Sequence, residues 1–254
     1  MRARTLFPTF LACAVAFVLS PLAAQADPAE GDYTRLFRLA GLDLLCEQSA
    51  PLAQRGLPEA QQARLGALFE AQALCRDLAT AVAARLPAEQ ARQAETLLDS
   101  ALARRFTEAE RDVGDGEGLA AYRAQLESRP PRPERLALVR RLDEAAHTTR
   151  LAALLRYEAG KTQALASLRA RGEALDEATL DTRTAEQAAA LERSSAQAVE
   201  SFMLYAYRQL PSEQVRAYAE LYEHPAVKAL LDISVASLPA LFAERRARLD
   251  PPAP

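Results

Sequence analysis

Apolar residues recur every three and four positions along most of the chain, the spacing that puts side chains on one face of an α-helix. Leu36, Phe37, Leu39, Leu42, Leu44 and Leu45 predict a first helix from Tyr33, interrupted at Gly41 and ending at Cys46. Pro51 and Gly56-Leu57-Pro58 then mark a connection. A long helix is predicted through Leu65, Leu68, Phe69, Leu74, Leu78 and Val82, and another from Leu86-Pro87 through Ala94, Leu97, Leu98, Ala101 and Leu102. The pattern weakens after Phe106, and Gly114, Gly116 and Gly118 predict an acidic turn before a short helix with Leu119, Tyr122 and Leu126. Leu136, Val139, Leu142, Leu151, Leu154 and Leu155 predict a long stripe ending near Gly160, followed by a shorter helix from Lys161 to Arg171 that stops at Gly172. From about Glu177 to Gln209 the pattern sharpens at Val199, Phe202, Met203 and Tyr207. The last helix is expected through Val227, Leu230, Leu231, Val235, Leu238 and Phe242, with a kink at Pro239.

No convincing alternating run follows the N-terminal segment. The expected fold class is all-α: two related helical modules packed as a multi-helix bundle, with no sheet. Residues 27–128 form the first expected module, 129–133 a proline-rich linker and 134–249 the second module. A disordered proline-rich tail is expected at 250–254.

Residues 1–26 read as a cleaved signal peptide. Arg2 and Arg4 supply the positive start, an apolar run follows, and Ala24-Gln25-Ala26 has the small-x-small cleavage pattern. The mature chain is expected to begin at Asp27 and to reside in the periplasm or outside the cell. Two alternatives are a lipoprotein signal using Cys13, for which Phe10-Leu11-Ala12 is a poor match, and an uncleaved anchor, for which the apolar run barely reaches spanning length. Downstream of that run no stretch reads as apolar enough to span a membrane, so no integral membrane segment is expected in the mature chain.

Export changes the meaning of the cysteines. The two that remain, Cys46 and Cys75, predict a disulfide, because an even count in an oxidising compartment is normally paired. Two buried free thiols are the alternative. Acidic residues outnumber basic ones, 34 to 31, and arginines are interspersed with carboxylates, which argues against a nucleic-acid partner.

The stretch 210–231 is the most patterned in the chain. Leu210, Leu86 and Leu57 are each followed by proline, then by glutamine at the fourth position (Gln214, Gln90, Gln61) and leucine at the eleventh (Leu221, Leu97, Leu68). The twelfth position is Tyr222, Leu98 or Phe69. Two of these copies read as a duplication, whereas the Leu57 copy is equally open to a chance match in a Leu-, Ala- and Gln-rich chain.

The copy at Leu210 resembles the domain-of-unknown-function family numbered 2059, which occurs in exported bacterial proteins. Its hallmark, Phe-Thr-x-x-Glu-Leu and then Phe-Tyr-x-Ser-Pro-x-Gly, aligns without a gap on Leu210 to Val215 and Leu221 to Val227. Tyr222 and Pro225 carry the match; Leu210 and Pro211 replace Phe-Thr, His224 replaces the serine and Val227 the final glycine. The resemblance implies export and a helical module, and it implies no activity. Independently of it, Pro225 predicts a helix corner: a proline disfavours helical geometry at the preceding residue, so His224 should leave one helix as Pro225 opens the next. Tyr222 is expected to fill the angle, with its hydroxyl reaching solvent or a carbonyl.

Candidate chemistry is sparse. Gly160-Lys161-Thr162 lacks the earlier glycine of a phosphate loop and reads as a helix end, and residues 112–118 fit no calcium loop. The two histidines, His147 and His224, lack a second ligand at a metal-site spacing. His147 with Glu144 is an ordinary helix-surface pair, and Ser194-Ser195 has no nucleophile context. No catalytic, cofactor or metal-binding residue is assigned. The expected function is a non-enzymatic interaction protein or structural adaptor with an envelope protein as partner. The alternative is a carrier of a hydrophobic small molecule or lipid in a groove between helices, lined by Phe202, Met203, Tyr205 and Tyr207; an envelope hydrolase is the weakest candidate.

Overall fold

The computed structural model describes residues 30–249 apart from 115, 127 and 174, with side chains from Tyr33 onward. The signal peptide, Cys13, the expected mature start at Asp27 and the tail lie outside the described residues. Among the described residues the chain is all-α, with twelve helices and no strand. The first half comprises α1 (Glu30–Ala40), α2 (Leu42–Gln54), α3 (Glu59–Leu68), α4 (Ala71–Ala83), α5 (Ala88–Leu98), α6 (Ala101–Arg111) and α7 (Glu117–Gln125). The second comprises α8 (Pro133–Ala146), α9 (Thr148–Ala170), α10 (Glu177–Ala206), α11 (Ser212–Glu223) and α12 (Pro225–Ala247).

Several boundaries differ from the hydrophobic pattern, each for a local reason. Pro51 sits inside α2 instead of ending it. The helix expected from Leu65 to Val82 is divided at Glu70, whose carboxylate accepts from the Gln72 and Ala73 amides at 2.9 and 2.7 Å and so starts α4. The next is divided at Ser100, whose hydroxyl accepts from the Ala103 amide and starts α6. The long stripe from Leu136 breaks at His147 and not at Gly160. His147 adopts φ 53° and ψ 25°, left-handed geometry uncommon for a residue with a side chain. Asp143 accepts from both the amide and hydroxyl of Thr149, each at 2.7 Å, giving α9 its cap. Gly160 then lies within α9, where one glycine costs only about 1 kcal/mol and its neighbours Ala159 and Lys161 are buried.

The three patterned copies share one shape. Each runs from a Leu-Pro entry through a short helix to a corner: α3 into α4, α5 into α6, and α11 into α12. In each copy the eighth and twelfth positions are buried: Leu65 and Phe69, Ala94 and Leu98, Tyr218 and Tyr222. At each corner a side chain, from Glu70, Ser100 or His224, accepts a hydrogen bond from an amide of the next helix. The copy at Leu57 therefore belongs with the other two in geometry.

Residues 129–132 link α7 to α8 without helix, yet the buried residues on either side form one continuous core. α12 packs against α4 and α5 from the first half and α9 from the second, while α2 also contacts α9. The Phe69 and Phe242 rings meet at 4.9 Å across this junction. Among the described residues α12 is the one helix long and apolar enough to cross a membrane by length and composition, which the hydrophobic pattern alone passed over. In the fold it is a core helix: Val227, Leu230, Leu231, Leu238 and Phe242 are buried, and α12 continues through Pro239.

Cys46 on α2 and Cys75 on α4 are joined in a disulfide, with their Cα atoms 5.7 Å apart and a sequence separation of 29. It staples α2 to α4. Closing a loop of that length is expected to stabilise the fold by about 3–4 kcal/mol. Mass spectrometry without reductant should give a linked Cys46–Cys75 peptide, and denaturant unfolding should show that loss on reduction. Recovery of two free thiols from oxidised protein would contradict the bond.

Candidate functional site between the two halves

A pocket of about 270 Å³ lies where the start of α2 and the end of α6 meet α8, α9, α10 and α11. Leu42 and Leu45 of α2, Leu142 of α8, Leu155 of α9 and Met203 of α10 form apolar walls. Tyr207 at the end of α10 and Tyr218 and Tyr222 of α11 add phenols, and Glu110 of α6 adds a carboxyl.

The aromatic groups hold one another. Phe106 stacks on Tyr218 with ring centroids 4.0 Å apart and packs on Tyr207 at 4.8 Å. Tyr218 and Tyr222 meet edge to face at 5.0 Å, and their hydroxyl oxygens are 3.3 Å apart. The Tyr207 hydroxyl donates to Glu110 Oε1 at 2.5 Å.

Burial raises the Glu110 carboxyl above its ordinary value; the Tyr207 hydrogen bond and nearby Arg111 oppose that rise without cancelling it. Burial also pushes Tyr207 and Tyr218 well above the usual phenol value, with Glu110 and Tyr222 respectively adding to the rise. Tyr222 is pushed up to about 12, chiefly by burial. These phenols remain neutral donors through the physiological range and form no nucleophile–base pair with a serine, threonine or cysteine among the groups lining the pocket.

Of the residues anticipated for a groove, Phe202, Met203 and Tyr207 line the pocket. Tyr205 does not: its ring contacts Tyr122 at 5.5 Å and Arg208 at 3.9 Å. Its hydroxyl lies so close to Gly118 that a Cβ there would meet it at 2.1 Å.

At the corner, Tyr222 faces the pocket and the Tyr218 hydroxyl, in place of the solvent or carbonyl expected for it. Val215 and Leu221 are buried in the core, and Leu210 is packed against it. Pro225 is the first residue of α12, with His224 Nδ1 accepting from the Ala226 amide at 3.3 Å. Glu110 escaped the sequence reading, although it lies four residues after Phe106 on the same helical face. The weakening of the apolar pattern after Phe106 was its signal.

The other anticipated polar groups sit elsewhere. His147 does not pair with Glu144: its Nε2 is 2.7 Å from Asp232 Oδ1. Burial disfavours ionisation of Asp232, but Lys228 and His147 outweigh it and hold that carboxyl below the usual range. Ser194 and Ser195 both accept from Arg156.

Lys161, read as part of a helix end, lies in a buried ion cluster that the sequence did not disclose. It pairs with Glu177 at 2.9 Å, with Glu158 at 3.7 Å and with Asp181. Arg246 pairs with Glu158 at 2.7 Å and with Glu177, and donates to Thr162 Oγ1 at 3.3 Å. Burial raises the Glu158 carboxyl against the pull of Arg246 and Lys161. The partly exposed Glu177 is held low because its hydrogen bonds to Arg246 and Lys161 outweigh burial. The ion pairs of Lys161 and Arg246 with Glu158 and Glu177 mark this cluster as structural.

Comparison with protein-family models, curated proteins and solved structures gave no match to the chain.

The raised phenol values set the sign of an alkaline transition. Above the ordinary tyrosine value of 10.0 the unfolded chain loses protons that the folded chain keeps, so stability should fall as pH rises from 10.0 towards about 12. Unfolding midpoints measured across that interval should decline, and Tyr222→Phe should flatten the decline; a flat wild-type profile would contradict the buried phenols. In the ion cluster, Arg246→Met should destabilise by about 3–5 kcal/mol, because it strips a cation from buried Glu158. Equilibrium denaturation measures this, and an unchanged midpoint would show that Arg246 does not hold Glu158.

Proposed function

We propose that the chain is a non-enzymatic protein of the cell envelope that carries a small hydrophobic molecule in the pocket between its halves. One observation carries this reading: an apolar pocket of about 270 Å³ at the junction, lined by Tyr222 of the patterned corner and by Glu110. Ligand sites are typically concave and mostly apolar, with a few convergent polar groups, and range upward from about 300 Å³. This pocket has that composition, and its volume falls just below that range.

An adaptor would call for an extensive exposed apolar face. Among the described residues the large apolar side chain that stands exposed is Leu44, and it lies on the lining of the same pocket. The geometry therefore favours the carrier over the adaptor.

Export is supported by the pattern of residues 1–26 and by the Cys46–Cys75 bond. The proposed kinship with the domain-of-unknown-function family numbered 2059 rests on Tyr222, Pro225 and their spacing from Leu210.

The chain contains 2 methionines, Met1 and Met203, so isotope labelling of the methionine methyl gives a local probe of the pocket wall. Titration with benzyl alcohol should shift the Met203 resonance saturably, and Ala152→Phe, which adds volume to the pocket lining, should suppress the shift. No shift with wild-type protein, together with a reproducible crosslinked envelope partner, would replace the carrier reading with the adaptor.

A further inference from the structure

The pocket's charge inventory narrows its ligand, an inference that rests on the carrier reading above. The lining contains one charged side chain, Glu110, and no lysine, arginine or histidine. A buried carboxylate is ordinarily held by a cation or several donors. Glu158 follows that rule, with Arg246 and Lys161 beside it. Glu110, which is only partly buried, has less: its side-chain partner among the described residues is the Tyr207 hydroxyl at Oε1. The neighbouring Arg111 is exposed. A carboxyl lines an apolar pocket, then, with one oxygen engaged by a phenol and no protein cation paired with it.

We infer that the ligand is a small lipophilic organic cation, an amine whose ammonium group pairs with Glu110 while its apolar body packs against Leu142, Leu155, Met203 and the tyrosine rings. The ammonium supplies the charge partner that the protein omits. Tyr207, Tyr218 and Tyr222 line the same pocket as that carboxyl, and aromatic faces attract cations. An anionic ligand such as a fatty acid would place a second negative charge beside Glu110, with no basic lining residue to offset it. A neutral ligand would leave the carboxyl as it is in the free protein. The volume, comparable to about nine waters at liquid density, suits a body of a single ring or short chain.

The test uses the full chain with an intact disulfide and three probes of similar size: benzylamine, benzyl alcohol and benzoate. Binding is followed through the Met203 methyl resonance in mildly alkaline buffer that keeps both Glu110 and the amine charged. Benzylamine should bind about ten-fold or more tightly than benzyl alcohol, the scale of a charge-assisted hydrogen bond, and benzoate should bind least. Glu110→Gln preserves the side-chain shape and should abolish the amine's advantage while leaving benzyl alcohol binding in place. Equal binding of the amine and the alcohol by wild-type protein would overturn the cation assignment and leave the carrier reading standing. Failure of all three probes to shift Met203 would overturn both. The wild-type comparison decides the matter even if Glu110→Gln folds poorly.

Discussion

The burial of α12 is the constraint on which the other packing depends. Its apolar residues point in too many directions for one neighbouring helix to cover, so α4 and α5 approach from the first half and α9 from the second. The same helix ends with two buried arginines, Arg245 and Arg246, which a dry apolar environment would reject without partners. Asp77 of α4 pairs with the first at 2.6 Å, while Glu158 of α9 and Glu177 of α10 hold the second. Apolar coverage and charge pairing thus draw on both halves. A division at residues 129–133 is a feature of the path of the chain, whereas the core runs across it.

That arrangement also explains where space remains. α12 fills the junction on one side, with Phe242 against Phe69. Elsewhere at the junction the ends of α6 and α10 and the start of α2 border one pocket, and helix ends cannot interdigitate along their length as helix flanks do. The gap is lined by what those ends supply: Glu110 from the last turn of α6 and Tyr207 at the end of α10. The pocket and the core helix are two outcomes of the same packing problem.

The fold class was legible because a three-and-four spacing of leucines records a buried helical face directly. Corners were less legible. Glu70 and Ser100 stop one helix and start another through side-chain hydrogen bonds to amides, and a carboxylate or hydroxyl at such a position looks like any other polar residue on a helix. Pro225 announced its corner because the pyrrolidine ring acts on its own neighbour. The break at His147 depends on Asp143 and Thr149 nearby and is accompanied by a contact to Asp232, far along the chain. The pocket combines residues from seven helices, so Phe202, Met203 and Tyr207 could be anticipated from their own stripe while Glu110 could not be associated with them.

The three corners also show how a site can arise within a repeat. All bury their eighth and twelfth positions, and in the first two copies those positions are Leu65 and Phe69, then Ala94 and Leu98, side chains that only need to be covered. In the third copy they are Tyr218 and Tyr222, which fill comparable space but bring hydroxyls into the interior. A buried hydroxyl costs free energy unless it is hydrogen-bonded. Packing alone would be served as well by phenylalanine, as Phe69 illustrates. The phenols of Tyr218 and Tyr222 engage each other and face the same cavity as Glu110 and Tyr207, so the repeat departs from its apolar pattern at the positions that border the pocket. The shared scaffold accounts for the corner, and the departure from it accounts for the polar chemistry there.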